Sequence, residues 1–450
     1  MSEICKPEDG VIKFSPYVNN TVPQNCVFVS PEGAWMPMPE DGKWMVTPFA
    51  YDFWWKENEK WYDGVTIHAG LNPFSRYDVE GSEFIPFLEA VSVNTFRKFP
   101  IGKARHTILC QPNGKIMLDG IVLRRDEDKF HALCWLDPQM INGTVGNKFH
   151  FKSEYTGTKR FFYQLCGDKS LEVIEKACHE DMHDVKFMWA KDAKIAGHDV
   201  YILRTGMSGT LAYEVHGMME DALDVYNELL RVGEEYGIQQ LGRFGYINQH
   251  CEGSIPQVAE HFHTCIPGFY TPMTFGSLPR GHELEYRSPF DCGWGNLVKF
   301  NHDFTGKEAL EKEAAGPHRD AVHLIWNKED VAKITLASLD PELRVDPIDM
   351  CCDYDFVRNC NSVHIDAVYA GDKMIGASSG RMTSAKTREM ISFASLDTEY
   401  CTDGKEVEVL WGNPGTTQMR VRATVKKFPY FTEKRNNNFD LETIPHYKPE

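Results

Sequence analysis

The sequence lacks the features that mark membrane, secreted and nucleic-acid-binding proteins. No run approaches the roughly 20 consecutive apolar residues that a membrane helix needs. The first ten residues contain charged side chains but no basic segment followed by an apolar run, so we expect no secretion signal. Lys and Arg number 48 against 65 Asp and Glu, which gives a formal net charge of -17. This field repels phosphate groups and anionic lipid, so we expect neither a nucleic-acid nor a membrane partner.

Disulfide and redox motifs are also missing. The 13 cysteines are an odd number, and no two of them form a CxxC motif. This pattern predicts reduced thiols and a cytoplasmic protein. We interpret the neighbouring Cys351 and Cys352 as two ordinary thiols, because adjacent cysteines reach disulfide geometry only with backbone strain.

The common nucleotide, hydrolase and metalloprotease motifs are absent. The chain contains no GxGxxG after a strand and no GxxxxGK[ST], HExxH or GxSxG. His261 and His263 would share one face of a strand, and Cys265 or Glu260 could add a metal ligand. No third ligand has a diagnostic spacing, so we interpret the two histidines as polar loop residues and predict no metal site.

The composition is that of a folded enzyme with more than one domain. Hydrophobic residues make up 42%, aromatic residues 12% and charged residues 25% of the 450 positions. Residues 1–60 combine prolines with four tryptophans, and a fifth follows directly at residue 61. This pattern predicts an irregular N-terminal segment. The tryptophans are Trp35, Trp44, Trp54, Trp55 and Trp61.

Residues 61–317 predict an α+β region of one or two subdomains. Apolar residues recur at helical spacing after Gly81, after Asp168, and from Glu220 to Tyr236, where Gly237 suits the end of a helix. Residues 305–308 have the form of a capping box, which predicts a helix that ends before residue 316. The Gly-Pro pair at 316–317 is a credible domain boundary.

Residues 318–450 predict a β domain. Met419, Val421, Ala423 and Val425 alternate with polar residues, as expected for a strand with one buried face. Residues 364–369, 391–396 and 407–411 are further strand candidates separated by turns. Together they indicate a small antiparallel barrel.

The segment 204–217 carries the clearest candidate site. A glycine-rich turn precedes a strand whose alternation places Ala212, Glu214 and His216 on one face. A flat ligand could approach closely beside these small residues, and a carboxylate can accept two parallel N–H bonds from a pterin or a guanidinium. The residues alone leave two interpretations of Glu214 open: a ligand-binding group, or a solvated or salt-bridged strand residue.

Segments 204–217, 112–120 and 288–310 resemble corresponding stretches of the aminomethyltransferase (glycine-cleavage T-protein) superfamily. Segments 298–310, 321–333 and 408–412 most resemble its tetrahydrofolate-dependent aryl O-demethylases of the vanillate/syringate type. The resemblance covers about residues 60–430. It implies T-protein-like folate-binding α+β domains followed by a C-terminal β-barrel, with tetrahydrofolate as cofactor.

The resemblance also implies roles for individual residues. Glu214 falls on the pterin-binding glutamate, Asp119 on an acidic residue close to the reactive pterin, and Gln164 on a glutamine that contacts folate. Tyr246 falls on the catalytic tyrosine of the demethylases, where it would also contact the substrate. Without the resemblance, Asp119 would be interpreted as a turn residue, Gln164 as a buried strand residue and Tyr246 as a packing residue.

Trp135 marks a departure from this family pattern. The vanillate-type enzymes carry an arginine on the corresponding strand to hold the substrate carboxylate, and an indole cannot make that bidentate contact. Either the substrate lacks the carboxylate and Trp135 lines its site, or Arg105 or Arg125 supplies the cation.

The resemblance predicts a cytoplasmic enzyme that moves the methyl group of a small methoxylated aromatic to tetrahydrofolate, giving a phenol and 5-methyltetrahydrofolate. An N-demethylase or aminomethyltransferase of the same superfamily is an alternative, and so is a folate-binding regulatory protein without turnover.

Overall fold

The computed structural model describes residues 26–29, 45–48, 50–68, 75–157, 159–258, 261–266, 273–350 and 362–448. Much of the predicted irregular segment 1–60 lies outside these residues, as do Glu260, Cys351 and Cys352. Its described part contains the antiparallel pair β1 (Cys26–Val29) and β2 (Met45–Pro48) and the short helix α1 (Trp54–Glu57), which α2 (Lys60–Asp63) follows.

A six-stranded sheet carries the predicted glycine-rich strand. Its order is β10-β11-β12-β9-β3-β13, and all neighbours are antiparallel except β13 and β3. The strands are β3 (Thr66–His68), β9 (Arg160–Cys166), β10 (Ala190–Ile195), β11 (His198–Leu203), β12 (Ala212–Met218) and β13 (Gln239–Leu241).

Two helices cover one face of this sheet. They are α5 (Ser170–Cys178) and α6 (Ala222–Gly233), and their apolar residues pack against Tyr213 and Val215 of β12. The helix predicted over residues 220–236 is confirmed, with a 3-10 turn at each end and Gly237 at φ +66°. The other face of β12, with Ala212, Glu214 and His216, therefore turns away from this core.

A second, antiparallel sheet has the order β5-β6-β7-β4-β8. Its strands are β4 (Arg76–Glu80), β5 (Ala104–Cys110), β6 (Ile116–Arg124), β7 (Lys129–Leu133) and β8 (Lys152–Tyr155). The helix α3 (Phe84–Val91) buries its predicted stripe, Phe84, Phe87, Leu88 and Val91, against this sheet, and α4 (Pro138–Thr144) adds Ile141 to the same core.

The predicted C-terminal barrel is confirmed. Its six antiparallel strands run in the order β16-β17-β18-β15-β20-β19 and close through a pairing of β16 with β19. The strands are β15 (Arg319–Trp326), β16 (Ser362–Ala370), β17 (Lys373–Thr383), β18 (Met390–Asp397), β19 (Glu406–Trp411) and β20 (Met419–Lys427); β14 (Met273–Phe275) pairs in parallel with β16 outside the closed ring. Val421, Ala423 and Val425 face the barrel core as the alternation predicts.

The predicted capping box is wrong, although the predicted helix after it is present. The helix α8 runs over Lys307–Ala315, and its N-cap is Gly306 at φ +90°, with no side-chain cap. A Cβ atom on Gly306 would lie 2.6 Å from the backbone oxygen of Gln111, so the close approach of two chain segments sets this helix start.

The chain returns to the six-stranded sheet after the barrel. Residues 428–448 form this C-terminal segment, in which Asn436 binds the buried guanidinium of Arg204 through its side-chain and backbone oxygens. Leu441 and Ile444 join the core beneath α5 and α6. Residues predicted to belong to the barrel domain therefore pack with the N-terminal sheets, and the domain bounds 61–317 and 318–450 stay predictions.

Two further helices complete the description. The helix α7 (Arg243–Gly253) lies against barrel strands β17 and β18, and α9 (Lys328–Ser338) covers one side of the barrel. Among the described residues, none of the helices has the length and apolar character required to traverse a bilayer.

The C-terminal segment should contribute to global stability. Leu441 is 7% exposed within the main core, whereas Leu336 on α9 is 70% exposed. We expect Leu441→Ala to lower the free energy of unfolding by about 2 to 3 kcal/mol, because a buried leucine side chain is lost. Leu336→Ala should change it by less than about 0.5 kcal/mol. Urea denaturation measures both, and equal effects would show that the segment does not depend on this contact.

Candidate functional site

A cavity of about 1220 Å³ lies where the two N-terminal sheets, α7 and the C-terminal segment meet. All five residues predicted from the sequence line it. Asp119 and Trp135 come from the five-stranded sheet and its margin, Gln164 and Glu214 from the six-stranded sheet, and Tyr246 from α7. The fold therefore brings together residues that are widely separated in the sequence.

Glu214 and Gln164 form one wall of this cavity. They are directly paired in the register of β12 and β9, so their side chains share a face. The Gln164 amide oxygen accepts the N–H of Met207 at 3.2 Å. A Cβ atom on Gly206 would lie 2.4 Å from the Cβ atom of Ala212. Only glycine therefore allows the backbone at residue 206 to lie this close to strand β12. The wall presents a carboxyl and an amide side by side.

A buried chain of polar groups holds Glu214. His216 Nε2 lies 2.9 Å from Glu214 Oε2, and Arg76 Nη1 lies 3.3 Å from His216 Nδ1. Because a guanidinium only donates, Nδ1 must accept, and the ring proton of a neutral His216 is on Nε2. Burial lowers the pKa of His216 well below its usual value and so favours this neutral form. His216 therefore donates to Glu214.

The surroundings of Glu214 also change its ionisation. Burial raises the pKa of this carboxyl to about 8, and the nearby positive charge of Arg76 offsets only part of that shift. In the ligand-free protein the carboxyl is therefore largely protonated at neutral pH. Two N–H donors from a ligand would favour the carboxylate.

Asp119 lies within strand β6, not in a turn. His106 Nε2 on the neighbouring strand β5 is 3.1 Å from Asp119 Oδ2, and both residues line the cavity. The His106 ring meets the indole of Trp294 edge-on, with ring centres 4.9 Å apart. Sequence analysis missed His106, whose pairing with Asp119 depends on the register of the two strands.

Tyr246 is buried and its ring stacks on His68, with centroids 4.0 Å apart and planes 6° from parallel. His68 Nδ1 lies 3.1 Å from the backbone oxygen of Leu241, so this nitrogen is the donor and Nε2 is the acceptor of a neutral ring. Sequence analysis also missed His68. It ends a three-residue strand, and nothing near it in the sequence indicates that Tyr246 will be its neighbour.

Trp135 lies beyond the end of β7, because the strand stops at Leu133 and Cys134 takes a left-handed φ of +59°. The strand predicted to contain Trp135 therefore ends two residues earlier. The indole is fully buried and packs in the core around Phe84 while also lining the cavity. No hydrogen-bond partner for Trp135 Nε1 exists within the described residues.

The two cations considered in place of a carboxylate clamp differ in position. Arg105 lines the cavity, but its guanidinium donates to the backbone oxygens of Thr95 and Lys98. Arg125 binds Asp192 at 2.5 Å and lies outside the cavity lining. Other basic residues also line the cavity: Lys103, Lys299 and Arg435.

His261 and His263 have ordinary polar contacts. His261 Nδ1 accepts the N–H of Gln257 at 3.0 Å, and His263 Nε2 lies 2.8 Å from the hydroxyl of Thr274. Within the part of the chain that the structure describes, these residues and Cys265 do not converge as metal ligands. Glu260 lies outside the described residues.

Comparison with known proteins gives consistent matches. Residues 38–263 match the family described as GCVT N-terminal domain. The chain is 38% identical over 407 residues to sesamin methylene transferase of Sinomonas sp., with 85% of this chain and 89% of the relative covered. It is 27% identical over 436 residues to syringate O-demethylase of Sphingobium sp., with 87% of this chain and 92% of the relative covered. The glycine cleavage system aminomethyltransferase T from Bartonella henselae has a similar fold, with a TM-score of 0.64, 16% identity and coverage of 88% and 93%.

The raised pKa of Glu214 predicts a cost in stability that grows with pH. An acid whose pKa rises from 4.5 to about 8 on folding stabilises the fold while protonated, and this contribution is lost as the pH rises through that window. Glu214→Gln removes the ionisation and keeps an acceptor for His216. Between about pH 5 and pH 8 wild type should lose roughly 3 kcal/mol of unfolding free energy relative to the variant. Urea denaturation at both pH values tests this, and parallel pH profiles would contradict it.

Proposed function

This chain belongs to the GCVT N-terminal domain family, and we propose that it transfers a one-carbon group from an aryl ether to tetrahydrofolate. The observation that carries the proposal is a shared cavity in which Glu214 and Gln164 form one wall and Tyr246 another. The relatives named for O-demethylation of syringate and for methylene transfer from sesamin support this class of reaction.

The residues of the cavity fit tetrahydrofolate. A carboxylate paired across the sheet with an amide matches the donor edge of a pterin, and the close approach of Gly206 to Ala212 leaves room for a flat ring. Glu214 and Gln164 would hold that ring. Bound tetrahydrofolate would supply the nucleophilic nitrogen N5 that accepts the carbon.

The remaining residues would control protons. An aryl ether releases a phenolate poorly, so a donor at the ether oxygen is needed, and a phenol of pKa about 10 is matched to a departing phenolate. The Tyr246 hydroxyl is our proposed donor, and its stacking on His68 fixes the ring. Asp119, with His106 beside it, would hold the proton released on the cofactor side. For a methoxyarene the products are a phenol and 5-methyltetrahydrofolate.

Methylene transfer is a second candidate, favoured by the 38% identity to a sesamin methylene transferase. A methylenedioxyarene would give a catechol, and its carbon would bridge N5 and N10 of the cofactor. The hydrogens on N5 and N10 of the cofactor would become the hydrogens of the two new phenol hydroxyls, so the reaction balances. Aminomethyl transfer is also consistent with the similarity to an aminomethyltransferase fold.

A donor screen should separate these reactions. We expect turnover with tetrahydrofolate and a neutral methoxyarene or methylenedioxyarene, because the buried Trp135 cannot hold a carboxylate and the Arg105 guanidinium is already bound by carbonyls. Benzoate analogues of the same donors should react more slowly, and faster turnover of the benzoates would assign a carboxylate clamp to Lys103, Lys299 or Arg435. Mass spectrometry of the folate product distinguishes methyl from methylene transfer. Turnover of methylated amines alone would refute the aryl-ether proposal.

Glu214→Gln should weaken tetrahydrofolate binding by about one to two orders of magnitude, since a charged hydrogen bond contributes about 1.5 to 3 kcal/mol. The matched control is Glu220→Gln, which changes the same group at an exposed position. Calorimetry on both variants measures the effect. An unchanged affinity in a folded Glu214→Gln protein would remove Glu214 from the binding site.

Tyr246→Phe should reduce turnover by about 100-fold or more while leaving tetrahydrofolate affinity unchanged, because it removes only the proton donor. Tyr400→Phe, on a partly exposed turn beside the barrel, makes the same chemical change away from the cavity and should be neutral. Single-turnover kinetics with a donor identified in the screen gives the comparison. Wild-type rates in Tyr246→Phe would assign proton donation to another group.

A further inference from the structure

We propose that Glu57 is a positioning residue, which sets the places of His68 and Tyr246 in the cavity through one peptide group. Glu57 ends α1, ahead of the residues that the family resemblance covers, and sequence analysis assigned it no role. It is not part of the cavity lining. The inference rests on the proposed function, in which Tyr246 is the proton donor.

The Glu57 side chain is fully buried and accepts backbone N–H groups from two separate segments. Its Oε1 accepts those of Tyr51 and Asp52, and its Oε2 accepts the N–H of Gly242 at 2.9 Å. Gly242 is the N-cap of α7, and a glycine has no side chain to bind the N–H groups at the start of a helix. A carboxylate from another segment therefore binds there, and its negative charge suits the positive end of the helix.

One peptide group is held at both of its polar atoms. The peptide between Leu241 and Gly242 donates its N–H to Glu57, and its oxygen accepts from His68 Nδ1 at 3.1 Å. A negative charge at the N–H polarises the peptide and makes its oxygen a better acceptor. Glu57 thereby strengthens the hydrogen bond that keeps the His68 proton on Nδ1 and fixes the plane of the ring.

The same peptide also leads into the helix turn that carries Tyr246. The oxygen of Gly242 accepts the N–H of Tyr246 at 2.9 Å, and the tyrosine ring stacks on His68. Glu57 is thus connected to one ring through Leu241 and to the other through Gly242. A shift of the anchored peptide would move both rings.

Close packing leaves this arrangement little freedom. A Cβ atom on Gly245 would lie 2.9 Å from Glu57 Oε2 and 2.8 Å from Leu241 Cδ1. The first turn of α7 therefore lies directly against the carboxylate, at the residue before Tyr246. An amide at residue 57 could not replace the carboxylate, because its NH2 group would face one of the two sets of N–H donors.

Glu57→Gln should lower kcat at least about tenfold and leave the Kd of tetrahydrofolate unchanged, because it displaces Tyr246 but not the wall formed by Glu214. Assays at about pH 8 keep the carboxyl of the wild type ionised, since burial raises the pKa of Glu57 only to about 7. The matched control is Glu59→Gln, which changes the same group where it lies half exposed beside Arg388, and should be neutral.

Gly245→Ala disturbs the same contact from the other side and keeps the carboxylate. Its added methyl group must move either the first turn of α7 or the Glu57 side chain. We expect the same combination of a lower kcat and an unchanged Kd. This variant replaces Glu57→Gln in every comparison if the latter does not fold.

A double-variant cycle separates positioning from general damage. Glu57→Gln combined with Tyr246→Phe should be no slower than Tyr246→Phe alone, because the displaced hydroxyl is already absent. Losses that multiply, or a wild-type kcat in Glu57→Gln, would overturn the positioning role. A wild-type kcat in Tyr246→Phe would instead refute the proposed donor.

Hydrogen exchange tests the anchoring itself without any turnover. Glu57→Gln should speed amide exchange over residues 242–248, and Glu59→Gln should leave it as in wild type. This comparison decides the anchoring even if no aryl ether reacts. Unchanged exchange in the folded Glu57→Gln protein would show that the carboxyl does not hold the start of α7, and would overturn the inference.

Discussion

The burial of one carboxyl group organises the centre of this protein. Glu214 is 6% exposed, and a histidine and an arginine that are themselves buried connect it to the protein interior. Arg76 belongs to β4 of the five-stranded sheet and His216 to β12 of the six-stranded sheet, so the same contacts that hold the carboxyl also join the two sheets. His131 Nδ1 lies 2.9 Å from Arg76 Nη2, and Asp78 Oδ1 lies 3.7 Å from Arg76 Nε.

Such a centre costs stability, because burial disfavours the charged form of an ionisable group. The rest of the structure compensates with apolar cores behind each sheet and within the barrel. The C-terminal segment connects these parts. It leaves the barrel, lines the cavity, binds Arg204 through Asn436 and ends in the core behind the six-stranded sheet. Cavity shape thus depends on contacts made far from the reacting groups.

The sequence predicted those parts of the structure that depend on local periodicity. Alternating residues on β12 and β20 and the helical stripe of α3 identified their elements because burial selects side chains with the period of the backbone. Family resemblance identified five residues that share the cavity. Prediction failed at the start of α8, where the close approach of Gly306 to Gln111 replaces the predicted side-chain cap. It also failed at Trp135, because the left-handed backbone of Cys134 ends the strand before that residue. His68 and His106 depend on contacts with other chain segments too.

The arrangement of proton-holding groups bears on which aryl ether this enzyme would use. Methyl transfer frees one phenol oxygen, whereas methylene transfer frees two, and each needs a proton as its bond to carbon breaks. Tyr246 on α7 and the Asp119 and His106 pair on the five-stranded sheet occupy different walls of the cavity. A single donor would serve a methoxy group, while two separated groups could serve both oxygens of a methylenedioxy ring in turn. With these proposed roles, the cavity would contain what the more demanding reaction requires, and the simpler one would need only part of it.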